Sequence, residues 1–387
     1  MDQLPFPAAG DILTPAPRYG ELQEREPVAR VRTATGGLAW LVTRHADVTA
    51  LLGDDRLGRS HPDPARAATV SGSVLLGGPV GDHDTERDRH RQMRQLLGPA
   101  FSARRMNALR PRIGQLVERL LDELPSPPTD WHRAFSVPLP VMAICELLGI
   151  PYEDHPRFRG WAGDLTSLTD ATRAAAARTE LIAYVRSLLP AKRDSPGEGM
   201  VSDLVERGLA DDAIAQMAAM LLFAGHETTV VRLDLGLLLL LANRDQLDAL
   251  RLDATLVQGA VEEILRLSSS TTTGGLPRYA RTDLVVRDVP IAAGDAIVLA
   301  AHAANRDRRV FDDPDFFDLT RPAKPHLSFG HGAHYCIGAA LARVELQEAF
   351  GRIAARLPGL RLAIPRSELR VHVDRLTGGL AGLPVTW

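Results

Sequence analysis

Phe329-Gly330-His331-Gly332-Ala333-His334-Tyr335-Cys336-Ile337-Gly338 is the stretch on which the reading of this chain turns. Gly330, Gly332 and Gly338 fall within nine positions, and a residue without Cβ belongs where a backbone must pass close to something flat or bulky. Cys336 stands where the apolar periodicity of Ile337–Leu357 begins to read as a helix. Free N–H groups and the helix dipole favour a thiolate there. Three readings follow: an inert buried cysteine, a zinc site built from His331, His334 and Cys336, or a thiolate presented to a flat prosthetic group. The zinc reading leaves the glycines and Phe329 unexplained and lacks a clear fourth ligand.

Around this loop the composition is that of a globular protein. The chain has 387 residues, 45% hydrophobic and 24% charged, enough to bury a sizeable core. A formal net charge of −3 is unlike a dedicated nucleic-acid binder, so no nucleic-acid partner is expected. Of 45 basic residues only Lys192 and Lys324 are lysines, which leaves no Gly-Lys-Ser/Thr phosphate loop. Cys145 and Cys336 are too few for an iron–sulfur cluster, a four-cysteine zinc site or a disulfide framework. Cys145, in Val141-Met142-Ala143-Ile144-Cys145, reads as core. Met1–Pro5 lacks the basic and apolar regions of a secretion signal. The longest apolar blocks, Met217–Gly225 and Leu235–Ala242, are short beside the ~20 residues that span a bilayer. His226, Glu227, Arg232 and Asp234 interrupt them. A soluble, cytoplasmic protein with no membrane partner is expected.

Strand-like runs at Ala29–Thr33 and Leu38–Thr43 flank Gly36-Gly37, a hairpin signal, and a short helix at Ala46–Leu52 follows. Residues 59–83 read as loop. Helical periodicity runs from Glu86 to Leu124 with breaks expected near Pro99 and Pro111. It returns at Val137–Leu148, Pro156–Leu165, Ala171–Leu188 and Ser202–Arg207. Asp211-Asp212 suits a helix N-terminus and opens a long helix reaching Ala242. Helices at 244–252 and 254–267, short strands within 277–301, a coil over 305–328, the helix Ile337–Leu357 and a strand-rich tail complete the chain. The whole reads as one mainly α domain, 1–387, with small β-sheets.

Inside the long helix lies Ala224-Gly225-His226-Glu227-Thr228-Thr229. Glycine costs ~1 kcal/mol in a helix interior, and a threonine hydroxyl can bond the carbonyl one turn back and loosen the ladder. An acid, an alcohol and small residues together suggest a local opening for oxygen and water.

The spacing Phe-Gly-x-Gly-x-His-x-Cys-x-Gly, followed by Ala340-Leu341-Ala342-Arg343, closely resembles the haem-binding loop of the cytochrome P450 family, and Ala-Gly-x-Glu-Thr-Thr resembles that family's central-helix motif. The resemblance covers nearly the whole chain and implies a triangular, mostly α fold with haem b between the long helix and the cysteine-loop helix. It makes Cys336 the axial thiolate, which on haem iron favours O–O cleavage. Phe329, Gly330 and Gly338 would shape its loop, and Ala224 and Gly225 the helix above oxygen. By the same match Glu227 relays protons from solvent and the Thr228 hydroxyl stabilises the oxygen species at the iron. His90 and Arg94, four apart on a helix, resemble the family's His-x-x-x-Arg that holds the haem propionates. Arg278 and His334 match two further propionate contacts. Glu263 and Arg266 form the family's Glu-x-x-Arg, with Arg321 as third member, in a structural role.

The implied activity is hydroxylation or epoxidation of a small organic molecule, of the kind that tailors polyketides or peptides in secondary metabolism. Electrons would come from NAD(P)H through a ferredoxin and its reductase. The rivals within reach of the same motifs are oxidative coupling, peroxide-driven oxidation and a non-catalytic haem sensor, and the intact Glu227-Thr228 pair favours dioxygen. Substrate contacts would come from the 70–82 loop, the 155–195 helices, Leu221–Gly225, Ser268–Leu276 and the Thr377–Leu380 turn. The run Ser268-Ser269-Ser270-Thr271-Thr272-Thr273 is unusually rich in hydroxyls.

Overall fold

The hairpin signal at Gly36-Gly37 closes as expected: Gly36 takes φ +86°, and Val28–Arg32 pairs antiparallel with Leu38–Val42 in the computed structural model of the chain. The structure describes residues 1–387 except 8–9, 74–75, 152–154, 269–273 and 323. In chain order the elements are α1 (Pro17–Arg25), β1 (Val28–Arg32), β2 (Leu38–Val42), α2 (His45–Leu52), β3 (Leu57–Gly58), α3 (Glu86–Leu97), α4 (Ala103–Asp122), β4 (Thr129–Asp130), α5 (Pro138–Leu148), α6 (His155–Leu165), α7 (Ala171–Asp194), α8 (Met200–Glu206) and α9 (Asp211–Ala242). They continue with α10 (Arg244–Leu252), α11 (Val257–Leu267), β5 (Leu276–Ala280), β6 (Leu284–Val286), β7 (Val289–Ile291), β8 (Ala296–Leu299), α12 (Ala301–Ala304), α13 (Ala339–Arg356), β9 (Arg361–Leu362) and β10 (Pro384–Thr386). The chain packs as two units: 1–92 with 262–336 and 373–378, and 93–261 with 337–372 and 379–387.

The first unit is built on a mixed five-stranded sheet in the order β1-β2-β8-β5-β3. β2 runs parallel to β8, and β5 is antiparallel to both β8 and β3. One cluster buries Leu4, Tyr19, Val31, Leu41, Tyr279 and Val298. The other gathers Val42, Leu51, Leu52, Ile297, Leu299 and Leu327. Gln23 Nε2 ties α1 to its neighbours by donating to the carbonyls of Thr43 (2.8 Å) and Ala303 (2.9 Å).

The second unit is helical. Its axis is α9, about 48 Å long at 1.5 Å per residue, opened by Asp211 and Asp212 as expected. It is apolar around most of its circumference, as a core helix must be, and packs against α5, α7 and a π-helical turn at His132–Ser136. The π turn places His132 Nδ1 2.6 Å from the buried Asp234 Oδ2. α4 lies along α13 under a run of ion pairs, Arg110–Glu348 (2.7 Å), Arg352–Glu118 (2.9 Å) and Arg356–Glu118 (2.8 Å).

Three expectations need correction. Pro111 does not break the helix but sits inside α4, and α7 runs on through Pro190 to Asp194. Both prolines are exposed, so water can satisfy the carbonyl that each deprives of its donor. The apolar faces, Met106, Leu109, Ile113 and Val117 in α4, outweigh the ~3 kcal/mol interior penalty. Thirdly, the apolar blocks of the membrane argument join into one helix: α9 is long and apolar enough to cross a bilayer by length and composition, and most of its apolar window is buried inside the protein. Cys145 is buried, as expected.

His302, on α12, meets Tyr19 edge-on with ring centroids 4.3 Å apart. Burial first, then the charge of Arg306, pushes its pKa down to about 3. The unfolded chain's imidazole titrates at about 6.5, so below that pH the unfolded state takes up a proton that the folded state refuses. Stability is whole above about pH 6.5 and falls as pH drops towards 3, by at most about 1.4 kcal/mol per unit from this residue. His302→Phe keeps a ring and removes the titration. Its urea midpoints should show a shallower decline over that window, and a slope equal to the parent's would contradict the assignment.

Candidate functional site

Glu263 and Arg266 lie one turn apart on α11 and meet as a buried bidentate pair. Arg266 Nε donates to Glu263 Oε2 at 2.7 Å, and Nη2 to Oε1 at 2.6 Å. The remaining guanidinium hydrogens reach the carbonyls of Asn305 (2.9 Å), Pro314 (2.5 Å) and Phe316 (3.2 Å). Arg321 Nε joins at Glu263 Oε1, 2.9 Å away, while its Nη1 and Nη2 donate to the carbonyls of Asp312 and Phe316. The triad expected from sequence is therefore assembled. Sequence reasoning missed what it holds. Asn305, fully buried, donates from Nδ2 to Ser328 Oγ (2.8 Å) and accepts Leu327 N–H at Oδ1 (2.6 Å). Ser328 Oγ in turn donates to Leu265 O at 2.6 Å. Leu327 and Ser328 immediately precede the cysteine loop.

The loop then folds back on itself. Gly330 N–H donates to Leu327 O, and Cys336 N–H to Phe329 O, both at 2.9 Å. Gly330 and Gly332 take φ of +72° and +69°, the left-handed region that favours glycine. A Cβ on Gly332 would come 2.8 Å from Leu52 O at the end of α2. Two of the three glycines thus serve the turn and a backbone contact, whereas the sequence reading assigned them to a flat neighbour. Gly338 is the N-cap of α13, which begins two residues later than expected, so Cys336 precedes the cap by two. Cys336 is exposed and in no disulfide, against the reading of an inert buried cysteine. Among the described residues no three His, Cys, Asp or Glu side chains converge as metal ligands, against the zinc reading.

A cluster of cations stands beside the loop. The His90 and His334 rings are 4.1 Å apart. Arg278, on β5 and buried, donates to Pro277 O at 2.8 Å. Burial, then the charge of Arg59, pushes its pKa down to about 10. Burial, followed by the charges of Arg278, His90 and Arg59, brings His334 down to about 4. Burial and these neighbouring cations thus disfavour the charged form of His334. Glu86 is the nearby carboxylate. Burial works to raise its pKa, but Ser60 Oγ–H and the N–H groups of Arg59 and Ser60 hold it below the ordinary value. His90, Arg278 and His334 are thus brought together; Arg94 is half-buried one turn along α3 from His90.

In the second unit α9 continues as helix across Ala224–Thr229 without the opening expected of it. The hydroxyls do bond back, Thr228 Oγ1 to Ala224 O at 2.9 Å and Thr229 Oγ1 to Gly225 O at 3.0 Å, and the ladder accommodates both. Gly225 packs on α5, where a Cβ would meet Ile144 Cδ1 at 3.4 Å. Met220, Ala224 and Thr228, each one turn apart, form an accessible stripe, while Glu227 beside it is buried. Of the stretches expected to meet substrate, residues 74–75 and 269–273 lie outside the described residues. Ser268 is buried.

Comparison with known proteins agrees with both halves. A family model for cytochrome P450 matches residues 198–356. Pentalenolactone synthase of Streptomyces exfoliatus is 43% identical, over 100% of this chain and 99% of that relative. Mycinamicin IV hydroxylase/epoxidase of Micromonospora griseorubida is 40% identical over 97% of this chain and 96% of its own length. Among solved structures, PimD, a polyene macrolide antibiotic pimaricin epoxidase, superposes with a TM-score of 0.90 at 36% identity, covering 100% of this chain and 99% of that one. The LnmA cytochrome P450 hydroxylase of the leinamycin pathway of Streptomyces atroolivaceus S-140 gives 0.88 at 38% identity, with 100% of both chains covered.

The Glu263–Arg266 pair yields a stability prediction. Arg266→Ala strands a buried carboxylate and should cost about 3–5 kcal/mol, read from urea unfolding followed by circular dichroism. Arg321→Ala, which leaves the bidentate pair intact, should cost less. A loss under about 1 kcal/mol for Arg266→Ala would contradict the role given to the pair.

Proposed function

The chain belongs to the cytochrome P450 family, and on that premise we propose that it is a haem-thiolate monooxygenase that hydroxylates or epoxidises a small organic substrate in secondary metabolism. The observation that carries the reading is the acid beside the alcohol on α9: Glu227 buried, Thr228 on the accessible stripe with its hydroxyl held one turn back. A haem-binding protein without turnover has no use for that pair. The described residues also fit haem. Its two propionates require cations and hydrogen-bond donors, and the first unit gathers Arg278, His90 and His334 around a region where Glu86 already takes hydrogen bonds from Arg59, Ser60 and Arg281.

When bound, the haem supplies the iron on which O₂ is reduced, with RH + O₂ + two electrons + two protons giving ROH and water. Cys336 Sγ would hold the haem iron, presented by the loop that Phe329, Gly330 and Gly338 shape. His90, Arg94 and Arg278 would bind the propionates, and His334 would donate a hydrogen bond to them. Glu263, Arg266 and Arg321 fix the polypeptide beneath the loop. Glu227 holds a proton away from bulk water and passes it to the Thr228 hydroxyl. That hydroxyl can rotate from Ala224 O to donate towards the accessible side, and the small side chains at Ala224 and Gly225 leave it room. Matches to relatives along essentially the full length support treating 1–387 as a single domain. Electrons reach the protein from NAD(P)H through a cytoplasmic ferredoxin and its reductase. The exposed Arg87, Arg89, Arg91 and Arg104 suit an acidic donor, since charge complementarity raises association rates.

Thr228→Ala removes the hydroxyl and keeps the helix. It should leave the haem content and ligand-induced spectral changes of the protein near normal, and divert most NAD(P)H-derived electrons to hydrogen peroxide. Loss of one such proton-transfer partner is typically worth a factor of 10²–10⁴ in the step it serves. Product formed per NAD(P)H equal to the parent's would remove Thr228 from the mechanism.

A further inference from the structure

β3 and β5 pair antiparallel, with Leu57 opposite Ala280 and Gly58 opposite Tyr279. One residue further on, the same register sets Arg59 opposite Arg278. Residues opposed across neighbouring strands project from the same face with Cβ atoms roughly 5 Å apart, and like charges so placed repel. Arg278 is buried and Arg59 half-buried. Burial lowers the pKa of each, and the charge of Arg59 lowers that of Arg278 further.

Among the described residues the charge of Glu86 offsets part of that repulsion, but neither guanidinium is bonded to a carboxylate. The Arg59 guanidinium makes no hydrogen bond or ion pair there, and that of Arg278 reaches only the carbonyl of Pro277. Glu86 is close, but it accepts Arg59 N–H (2.8 Å), Ser60 N–H (3.1 Å), the Ser60 hydroxyl and Arg281 Nη1 (3.3 Å). It binds the backbone of Arg59 and not its side chain. The backbone at Arg59 is held on both sides, by Glu86 at its N–H and by Val80 N–H at its carbonyl (2.8 Å). The backbone from which the guanidinium extends is therefore fixed. A buried guanidinium opposite a half-buried one is costly without a paired anion, and a carboxylate is the anion whose two oxygens match such forks.

We propose that Arg59 is a further ligand of the cofactor site: with Arg278 it clamps one propionate of the haem. The proposal rests on the reading of Arg278 as a propionate ligand and adds a residue that lies outside the recognisable motifs. In an arginine-rich chain, Leu57-Gly58-Arg59-Ser60 carries no local signal. Its significance comes only from the register with β5.

The test uses the haem-loaded protein in four forms: parent, Arg59→Gln, Arg59→Lys and Arg278→Gln. Two quantities are measured, the rate of haem transfer from the ferric protein to excess apomyoglobin and the midpoint potential of the iron. Arg59→Gln should lose haem about tenfold faster, in keeping with the strength of one charge-assisted bond, and should show a more negative potential. Arg59→Lys keeps the charge and should restore the potential while recovering only part of the retention, since it lacks the fork. Parent rate and potential in Arg59→Gln, with Arg278→Gln impaired, would overturn the role of Arg59 and leave the propionate reading standing. Parent behaviour in both glutamine variants would overturn that reading itself. If Arg59→Gln fails to take up haem, Arg59→Lys decides: a potential as far displaced as that of Arg278→Gln would show that Arg59 acts through packing, against the proposal.

Discussion

A guanidinium with all of its donors engaged inside the protein is the constraint on which the rest depends. Arg266 cannot give up its charge, and α11 carries it into the interior, so each N–H must find an acceptor there or the fold loses several kcal/mol. Glu263 takes two of these donors, and the carbonyls of Asn305, Pro314 and Phe316 take the others. Those acceptors lie in a coil that has little regular structure of its own. The arginine therefore gives the coil its shape. Asn305 and Ser328 then fix Leu327 and the start of the cysteine loop to the same framework. The position of Cys336 is in this sense a consequence of where one buried cation finds its oxygens.

Charge is arranged oppositely in the two units. In the first, basic groups converge and the one nearby carboxylate, Glu86, is committed to Arg59, Ser60 and Arg281. That environment suits a dianionic edge of a cofactor. In the second, the long helix holds acids within an apolar core: Glu227 beside the threonines, and Asp234 bonded to His132. A buried acid next to a hydroxyl is equipped to hold and hand over a proton. On the proposed reading, the two arrangements answer the two requirements of a haem-thiolate monooxygenase, which must bind its cofactor and deliver protons to oxygen.

What could be read in the sequence was what depends on near neighbours. Asp211-Asp212 located the start of α9, and unbroken periodicity carried it to Ala242. The cysteine loop and Ala224–Thr229 were legible because their chemistry is packed into ten residues or fewer. Pro111 and Pro190 misled because a local rule was applied where tertiary burial of the opposite helix face decides. The glycines of the cysteine loop were legible as special positions but not as to cause, since the contact of Gly332 with Leu52 joins residues 280 apart. Asn305, Ser328 and Arg59 were invisible for the same reason. Each acquires its meaning from a partner brought near only by the fold, across a coil in the first two cases and by strand register in the third.

The central claim is that Cys336, and not the second cysteine, provides a thiolate to haem iron. The most direct measurement is the Soret band of the dithionite-reduced, carbon monoxide-bound protein, compared among the parent, Cys145→Ala and Cys336→His. The account predicts the red-shifted band of thiolate ligation in the parent and in Cys145→Ala, where only a buried core side chain is trimmed, and its replacement in Cys336→His by the shorter-wavelength band of an imidazole-ligated haem. Loss of the red-shifted band in folded Cys145→Ala, or its survival in Cys336→His, would contradict it.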